Sequence, residues 1–293
     1  MYRSIKEHKM DKRTLGKTGE QLSMIGFGGI VVKDVSPDDA SRYVAQAIDR
    51  GINYFDVAPT YGNAEERLGP ALAPYRDDVF LACKTGKRDA EGAEQELHAS
   101  LKRLQTDHFD LYQLHAVKSM DEVEQIMGPG GALETFVNAR EQGLVRYLGF
   151  SAHAEEAALA LMDRFDFDTI LFPFNWTCWL KEGFGPDVMA KAAEKDMGIL
   201  ALKTLAKRAW KEDEERDWGK TWYSPVDSYE EAEMAVRFTL SKPVTAAVSP
   251  GHAELLWWAC DAADNFETIT DEETAALAEK AQDLDAIFPQ DYD

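Results

Sequence analysis

Cysteine is scarce in this chain of 293 residues, which holds only Cys83, Cys178 and Cys260. Their number is odd and none lies in a Cys-x-x-Cys motif, which argues against a disulfide framework, a zinc site and an iron–sulfur cluster. Long apolar runs are also missing, because no stretch reaches the ~18 apolar residues of a transmembrane helix. Residues 1–6 lack the apolar core of a signal peptide. We therefore expect a protein of the reducing cytoplasm without a membrane partner.

Basic residues are also few, since 32 Lys and Arg stand against 53 Asp and Glu and the formal net charge is -21. Such a surface repels the phosphates of nucleic acids and of anionic membranes, so nucleic acid is excluded as a partner. Any anionic cofactor must then be held by a small number of specific cations. The hydrophobic content of 45% is sufficient for a sizeable core.

Apolar strand-like segments alternate with helical segments along most of the chain. The predicted strands are 24–27, 52–55, 79–83, 109–114, 145–150, 169–172, 199–202 and 244–248. The predicted helices are 37–50, 63–68, 91–104, 133–142, 155–165, 186–195, 229–240, 253–263 and an appended 270–287. Eight such units over ~250 residues predict a (β/α)₈ TIM barrel.

Three further features complete the predicted architecture. Residues 11–25 carry turn glycines and are expected to form a β-hairpin ahead of the barrel. A doubly wound sheet is the alternative fold, but the Gly-rich run at 26–29 lacks the order of a dinucleotide fingerprint. The charged, Trp-rich segment 207–227 is interpreted as a flap over the top of the barrel. No composition break suggests a linker, so residues 1–293 are expected to form a single domain.

Polar side chains follow the ends of three neighbouring predicted strands. Asp56, Lys84 and His115 stand at these ends, and Tyr61 lies in the loop after Asp56. Barrel active sites lie at the carboxyl ends of the strands, so the four side chains are expected to converge on one rim. The structural alternative is a buried Asp56–Lys84 ion pair beside a histidine that only packs in the core.

These residues, in this order, resemble the aldo-keto reductase family. The resemblance rests on the Asp-x-Ala-x-x-Tyr-Gly loop at 56–62, on the two strand ends with Lys84 and His115, and on the Gly-Phe-Ser at 149–151. It extends to the segments 15–19, 65–69, 100–104 and 143–149, and so covers nearly the whole chain. It also looks close to a branch that often carries a C-terminal ferredoxin-like cysteine module, which this sequence does not contain.

The resemblance implies an NAD(P)H-dependent oxidoreductase that reduces aldehydes or ketones to alcohols. A carbonyl that accepts a hydride develops negative charge on its oxygen, and a proton donor there lowers the barrier. Tyr61 is the expected donor, although a free tyrosine has a pKa of about 10. Lys84, held by Asp56, is expected to lower that pKa, and His115 to orient the carbonyl.

The cofactor contacts follow from the same resemblance. It implies that Ser151 and Asn175 flank the nicotinamide carboxamide, and His153 could replace an Asn that this chain lacks at Ala152. Lys203 is expected at the pyrophosphate, with a solvated loop lysine as the equal alternative. The positions of the family's carboxamide-binding Gln and stacking aromatic are occupied by two leucines, Leu171 and Leu202.

The segment 249–252 resembles the family's phosphate-binding turn. Ser249, Gly251 and His252 belong to it, and the helix that follows would present free N–H groups to a phosphate. Glu254 would repel a 2′-phosphate and could instead accept a hydrogen bond from a 2′-hydroxyl. The resemblance therefore implies NADP(H), with NAD(H) as the alternative.

The substrate side is less defined by the sequence. Trp176, Cys178, Trp179 and part of the Trp-rich segment 207–227 are expected to wall a pocket for a small carbonyl compound, although aromatic residues there would equally suit a contact in a homo-oligomer or simple packing. A non-catalytic or regulatory nucleotide-binding protein on the same barrel is the alternative function. A metal-dependent hydrolase built on Asp56 and two histidines is disfavoured, because there is no His-x-His pair and no clustered carboxylate set. No metal site is expected.

Overall fold

The strands of the chain form a closed barrel and two small hairpins. The computed structural model describes residues 10–289, so residues 1–6, where no signal peptide is expected, lie outside the described part. The strands are β1 (Lys12–Thr14), β2 (Gln21–Ser23), β3 (Ile25–Gly28), β4 (Tyr54–Asp56), β5 (Phe80–Thr85), β6 (Phe109–Val117), β7 (Val145–Ala152), β8 (Thr169–Phe172), β9 (Gly198–Ala201), β10 (Ala206–Ala209), β11 (Tyr223–Pro225) and β12 (Ala246–Val248). The barrel order is β12-β3-β4-β5-β6-β7-β8-β9, all parallel, which confirms the predicted (β/α)₈ fold.

Helices cover the outside of the barrel. They are α1 (Pro37–Asp49), α2 (Ala64–Leu72), α3 (Ala90–Leu104), α4 (Met120–Met127), α5 (Ala132–Glu141), α6 (Glu155–Arg164), α7 (Trp176–Glu182), α8 (Pro186–Glu194), α9 (Tyr229–Leu240), α10 (Ala253–Asp264) and the appended α11 (Asp271–Gln282). Across residues 10–289, none of them is long and apolar enough to cross a membrane.

Local capping explains where several helices begin. The Ser36 side chain accepts a hydrogen bond from the Asp39 N–H at the start of α1, and Pro37 occupies the first turn. Helix α11 begins with a capping box in which Thr270 and Glu273 bond each other's backbone N–H groups. It ends at Gln282, five residues before the predicted end.

The hairpin β1–β2 closes the amino-terminal end of the barrel, as the sequence predicted. Leu15 and Leu22 are fully buried and join an inner layer of barrel residues that includes Tyr54, Phe80 and Leu111. This layer fills the lower part of the barrel, so space for a ligand is found at the opposite end, where the strands terminate.

The predicted flap is not a plain loop, because its two ends form the antiparallel hairpin β10–β11. We call residues 206–225 the flap. The pairing of the hairpin continues at its base, where the Val226 N–H donates to the Leu205 carbonyl (2.9 Å). Its β10 end is tied to the C-terminal segment by the Ala209 N–H, which donates to the Asp285 carbonyl (2.8 Å). The flap therefore has a fixed root beside the mouth of the barrel.

Candidate active site

A cavity of about 190 Å³ opens at the carboxyl ends of the barrel strands. The four predicted catalytic residues line it, namely Asp56, Tyr61, Lys84 and His115. Five of the eight predicted cofactor residues line it as well, namely Ser151, His153, Lys203, Ser249 and Gly251. The structure thus brings together residues that are up to 195 positions apart in the sequence, from Asp56 to Gly251.

Asp56 and Lys84 form a buried ion pair at the floor of the cavity, with residue exposures of 2% and 1%. The Lys84 Nζ contacts Asp56 Oδ1. The other carboxylate oxygen, Oδ2, accepts hydrogen bonds from Gln113 Nε2 (3.0 Å) and from the Tyr54 hydroxyl (3.3 Å). Burial alone would lower the pKa of Lys84, but Asp56 outweighs it, so the net shift is upward. The site therefore holds a fixed ammonium at neutral pH.

Tyr61 lies above this pair. The Lys84 Nζ is 5.6 Å from the centroid of the Tyr61 ring. Burial raises the pKa of Tyr61, and Lys84 opposes this shift without reversing it. The expected lowering of the Tyr61 pKa by Lys84 is present, but burial outweighs it, and the sequence does not show how deeply the phenol is buried. Tyr61 is a protonated donor at neutral pH.

His115 faces the Tyr61 ring edge-on, with 5.7 Å between the ring centroids and an interplanar angle of 83°. Its Nδ1 is 3.4 Å from the Thr60 hydroxyl. Burial, together with the positive charge of Lys84, holds the pKa of His115 well below its ordinary value. The imidazole is therefore neutral at physiological pH, and one ring nitrogen donates while the other accepts.

Ser151 lies near the end of β7, the next strand of the barrel, and His153 is the first residue after that strand. The Ser151 hydroxyl accepts a hydrogen bond from the Ala116 N–H (2.7 Å) and lies 3.4 Å from the Leu114 carbonyl. Burial, followed by the charge of Lys203, lowers the pKa of His153 to about 3, so this imidazole is also neutral. Both side chains line the cavity, and the Ser151 hydroxyl is already engaged by the backbone of β6.

Asn175 does not reach the cavity. Its Nδ2 donates to the carbonyls of Lys203 (3.0 Å) and Ala206 (2.5 Å), and its Oδ1 accepts from the Cys178 N–H at the start of α7. The side chain is fully buried. These bonds make Asn175 a support of the loop that carries Lys203, which is a different placement from the carboxamide contact that the resemblance implied.

Lys203 enters the cavity from the end of β9. Its Nζ is 5.3 Å from the ring centroid of Trp222 and 5.1 Å from that of Tyr223, both in the flap. Within residues 10–289, no carboxylate lies within ion-pair distance of Lys203. Burial, with the charge of Lys84, lowers the pKa of Lys203 to about 8. Its ammonium is thus available to an anion.

The turn at 249–252 forms the opposite wall. The Ser249 hydroxyl accepts from the Gly28 N–H (3.0 Å). A Cβ on Gly251 would lie 2.5 Å from Ile30 Cγ2 and 2.9 Å from Lys220 Cβ, so glycine is what lets the turn pack this closely against the two residues. Helix α10 begins two residues later without a side-chain cap, which leaves its first N–H groups free.

His252 and Glu254 stand outside the lining of the cavity. The His252 Nε2 accepts from the Lys220 N–H (3.1 Å), and its ring centroid is 5.0 Å from that of Trp218, so it fastens the flap to the barrel. Glu254 is exposed in the first turn of α10. The structure also adds Lys220, which lines the cavity and was missed from sequence because nothing in the charged flap marked which of its residues faces inward.

The prediction that Trp176, Cys178 and Trp179 wall the pocket is wrong, because none of the three lines the cavity. Trp176 and Cys178 are buried on the short helix α7, which the sequence analysis did not predict. The aromatic wall is instead supplied by Trp222 and Tyr223 of the flap. The general expectation that part of the Trp-rich segment borders the site agrees with this placement.

Comparison with known proteins gives consistent matches. The profile of the Aldo/keto reductase family matches residues 24–281. A Bacillus subtilis protein named "Uncharacterized oxidoreductase YqkF" is 27% identical over 92% of this chain and 95% of its own length. The L-galactose dehydrogenase of Arabidopsis thaliana is 28% identical over 68% of this chain and 66% of its own length.

Solved structures agree with the sequence matches. A putative aldo-keto reductase from Pseudomonas aeruginosa superposes with a TM-score of 0.69 and 25% identity, covering 88% of this chain and 99% of that one. The holo form of aldo-keto reductase AKR11C1 from Bacillus halodurans gives a TM-score of 0.73 at 23% identity over 97% of this chain and 99% of that one, which shows a shared fold.

Proposed function

The chain belongs to the aldo/keto reductase family and is an oxidoreductase, and from this premise we propose that it reduces aldehydes or ketones to alcohols with a nicotinamide dinucleotide and with Tyr61 as general acid. The observation that carries the proposal is the placement of a protonated Tyr61 over a buried Lys84–Asp56 pair and beside a neutral His115, all on one cavity.

The proton step follows from these four side chains. The bound nicotinamide would supply the hydride. Tyr61 donates its phenolic proton to the carbonyl oxygen as negative charge develops there. Lys84 then stabilises the phenolate that remains, and Asp56 keeps the ammonium in place. His115, being neutral, donates a hydrogen bond to the same oxygen and so orients the carbonyl toward the phenol.

The cavity chemistry fits an anionic dinucleotide. Gly251 lines the cavity beside the free N–H groups of α10, and Lys203 and Lys220 bring two cations to a protein of net charge -21. We propose that the residues that would hold the cofactor are Ser151, His153, Lys203, Lys220, Ser249 and Gly251. NADP(H) is the expected cofactor of the family. Glu254 in the first turn of α10 favours NAD(H), and we therefore propose both for testing.

The remaining parts of the proposal concern the substrate, the domain organisation and the location of the protein in the cell. Trp222 and Tyr223 border the cavity and suit a small, flat or apolar carbonyl compound. We propose that residues 1–293 act as one domain, since Arg13 of the N-terminal hairpin bonds the carbonyls of Leu240 and Val244 at the other end of the chain. The three cysteines are free and buried, in keeping with a cytoplasmic location.

The test combines nucleotide binding with carbonyl reduction. NADPH and NADH are titrated against tryptophan fluorescence, and reduction of a panel of aldehydes and ketones is followed by nicotinamide absorbance. Tyr61→Phe is expected to lower kcat by about 10² to 10⁴-fold, the usual contribution of general acid catalysis. Nucleotide affinity should stay within twofold of wild type, because the phenol is not among the proposed cofactor contacts.

The matched control is Tyr147→Phe, which removes a hydroxyl that bonds Glu20 (3.0 Å) near the closed end of the barrel. It should leave kcat unchanged. If neither nucleotide binds at millimolar concentration, the reductase proposal fails. If both variants reduce carbonyls at the wild-type rate, Tyr61 is not the acid.

A further inference from the structure

The peptide after His115 has an unusual conformation. Ala116 has φ = +53°, in the left-handed region that residues other than glycine avoid, at a cost of about 1–2 kcal/mol. It lies where the pairing of β6 with β7 shifts register, between Leu114 and Val117. Such bulges change the direction in which a strand presents a side chain. The strain therefore falls on the peptide that determines where the His115 imidazole points.

Three groups hold this bulge in place. The Ala116 N–H donates to Ser151 Oγ (2.7 Å) in β7, and the Val117 carbonyl accepts from the N–H of His153 (2.9 Å), the first residue after β7. From the other side, Arg88 Nη2 donates to the His115 carbonyl (2.8 Å) and approaches the Ala116 carbonyl (3.4 Å). Arg88 is the one side chain among these that comes from outside β6 and β7, in the loop between β5 and α3.

The side chain of Arg88 is itself held in place by Glu122. Glu122, in the first turn of α4, accepts from Arg88 Nη2 (3.2 Å) and Nε (3.3 Å) through the same oxygen. The other oxygen of Glu122 accepts from the Lys118 N–H (2.6 Å). The side chain of Arg88 is 11% exposed, and its buried Nη1 has no hydrogen-bond partner in the described part of the chain. A donor left unpaired in this way costs stability, so fold stability alone gives a poor account of the residue.

We propose that Arg88 is a positioning residue of the active site. Its guanidinium holds the His115–Ala116 peptide in the left-handed bulge and thereby aims the His115 imidazole at the carbonyl position beside Tyr61. The inference rests on the proposed function in one respect, because it takes His115 to act on the substrate. A planar, bidentate guanidinium pinned by Glu122 can hold a peptide carbonyl in one direction, which the flexible ammonium of lysine does less well.

Arg76 offers a matched control at the opposite end of the barrel. Its side chain is 15% exposed, and it also donates to two backbone carbonyls, those of Val79 (3.2 Å) and His108 (2.9 Å). It contacts no residue of the cavity. A general loss of stability should therefore appear in Arg76→Met as well as in Arg88→Met, whereas a loss of His115 positioning should appear only in the second.

The experiment measures kcat, KM, nucleotide affinity and melting temperature for these variants. Arg88→Met is expected to lower kcat by about 10 to 100-fold, since a displacement of 1 Å can cost that much, with nucleotide affinity within twofold of wild type. Arg88→Lys should recover part of the loss. Arg76→Met should keep kcat within twofold. Adding Ala116→Gly to Arg88→Met should restore kcat about threefold or more, because glycine adopts a positive φ without the steric cost.

A second readout does not depend on activity. The chain has six histidines, and the imidazole resonances of His115 are identified by their loss in His115→Gln. In Arg88→Met these resonances should shift, while in Arg76→Met they should match wild type. Unchanged His115 resonances, a kcat within twofold of wild type, or an equal loss in Arg76→Met would each overturn the proposal. If wild type reduces no carbonyl, the proposed function fails, and the resonances still decide the role of Arg88.

Discussion

The buried pair of Lys84 and Asp56 makes a quantitative prediction about stability. Lys84→Met removes the ammonium and leaves the Asp56 carboxylate, 2% exposed, with two neutral donors, Gln113 and Tyr54. Breaking a buried ion pair from one side costs about 3–5 kcal/mol, because the remaining charge is not compensated. We expect the free energy of unfolding of Lys84→Met to fall by about that amount relative to wild type.

The double variant Lys84→Met/Asp56→Asn removes both charges and separates this cause from a simple loss of packing. Replacing a buried pair by neutral groups is often close to neutral in stability, so the double variant should be more stable than Lys84→Met alone by about 2 kcal/mol or more. The assay is urea unfolding of the nucleotide-free protein, followed by tryptophan fluorescence and by circular dichroism. Agreement between the two probes tests the two-state assumption.

The pH dependence of the pair has a definite sign. The pKa of Lys84 is raised in the folded state, so its contribution to stability is complete below the unfolded pKa of about 10.4 and is lost as pH rises through the folded pKa. The contribution of Lys84 to wild-type stability should therefore be constant from pH 6 to pH 9 and should decline only at higher pH. A cost below 1 kcal/mol for Lys84→Met, with a double variant no more stable, would refute the reasoning.

Two further predictions concern Gly251 and Lys203, two of the residues proposed to hold the cofactor. Gly251→Ala should weaken nucleotide binding at least tenfold, measured by fluorescence titration, and should lower the melting temperature, because the new methyl group would force Ile30 and Lys220, which line the cavity, to move. Affinity equal to wild type would show that the cofactor does not use this surface. Nucleotide affinity should also fall by up to tenfold per pH unit above about 8, where Lys203 loses its proton, and this dependence should be absent in Lys203→Met; an unchanged pH dependence in that variant would assign it to another group.

The positions of the proposed catalytic residues could be predicted from the sequence because the barrel is built from a repeated strand–helix unit. Once eight strand–helix units are recognised, the carboxyl ends of all strands share one edge, and Asp56, Lys84 and His115 must meet there. The order of motifs identified the family for the same reason. Positions within two residues of a strand end, such as His115 near the end of β6, are thus determined by the fold class, without knowledge of tertiary contacts.

The errors lie where tertiary contacts decide the outcome. Helix α7 has seven residues, too few for an apolar period to be visible, so Trp176 and Cys178 were assigned to the cavity and are buried elsewhere. Lys220 and Trp222 reach the cavity because the flap is fastened at His252, a contact between residues 32 positions apart. The direction of the Tyr61 pKa depends on burial, which no local pattern reports.

The hairpin that closes the amino-terminal end of the barrel affects how the proposed reaction is supplied with protons. Leu15, Leu22 and the inner layer below Asp56 are buried and mostly apolar, and the Tyr54 hydroxyl of this layer donates to Asp56 itself. Within residues 10–289 this layer therefore shows no hydrogen-bonded route from beneath to bulk water. Each turnover removes one proton from Tyr61, and its replacement must then arrive through the same mouth that admits nucleotide and carbonyl. Reprotonation of Tyr61 is therefore tied to the opening of that mouth, and a solvent isotope effect on turnover should change when variants alter the fastening of the flap at His252.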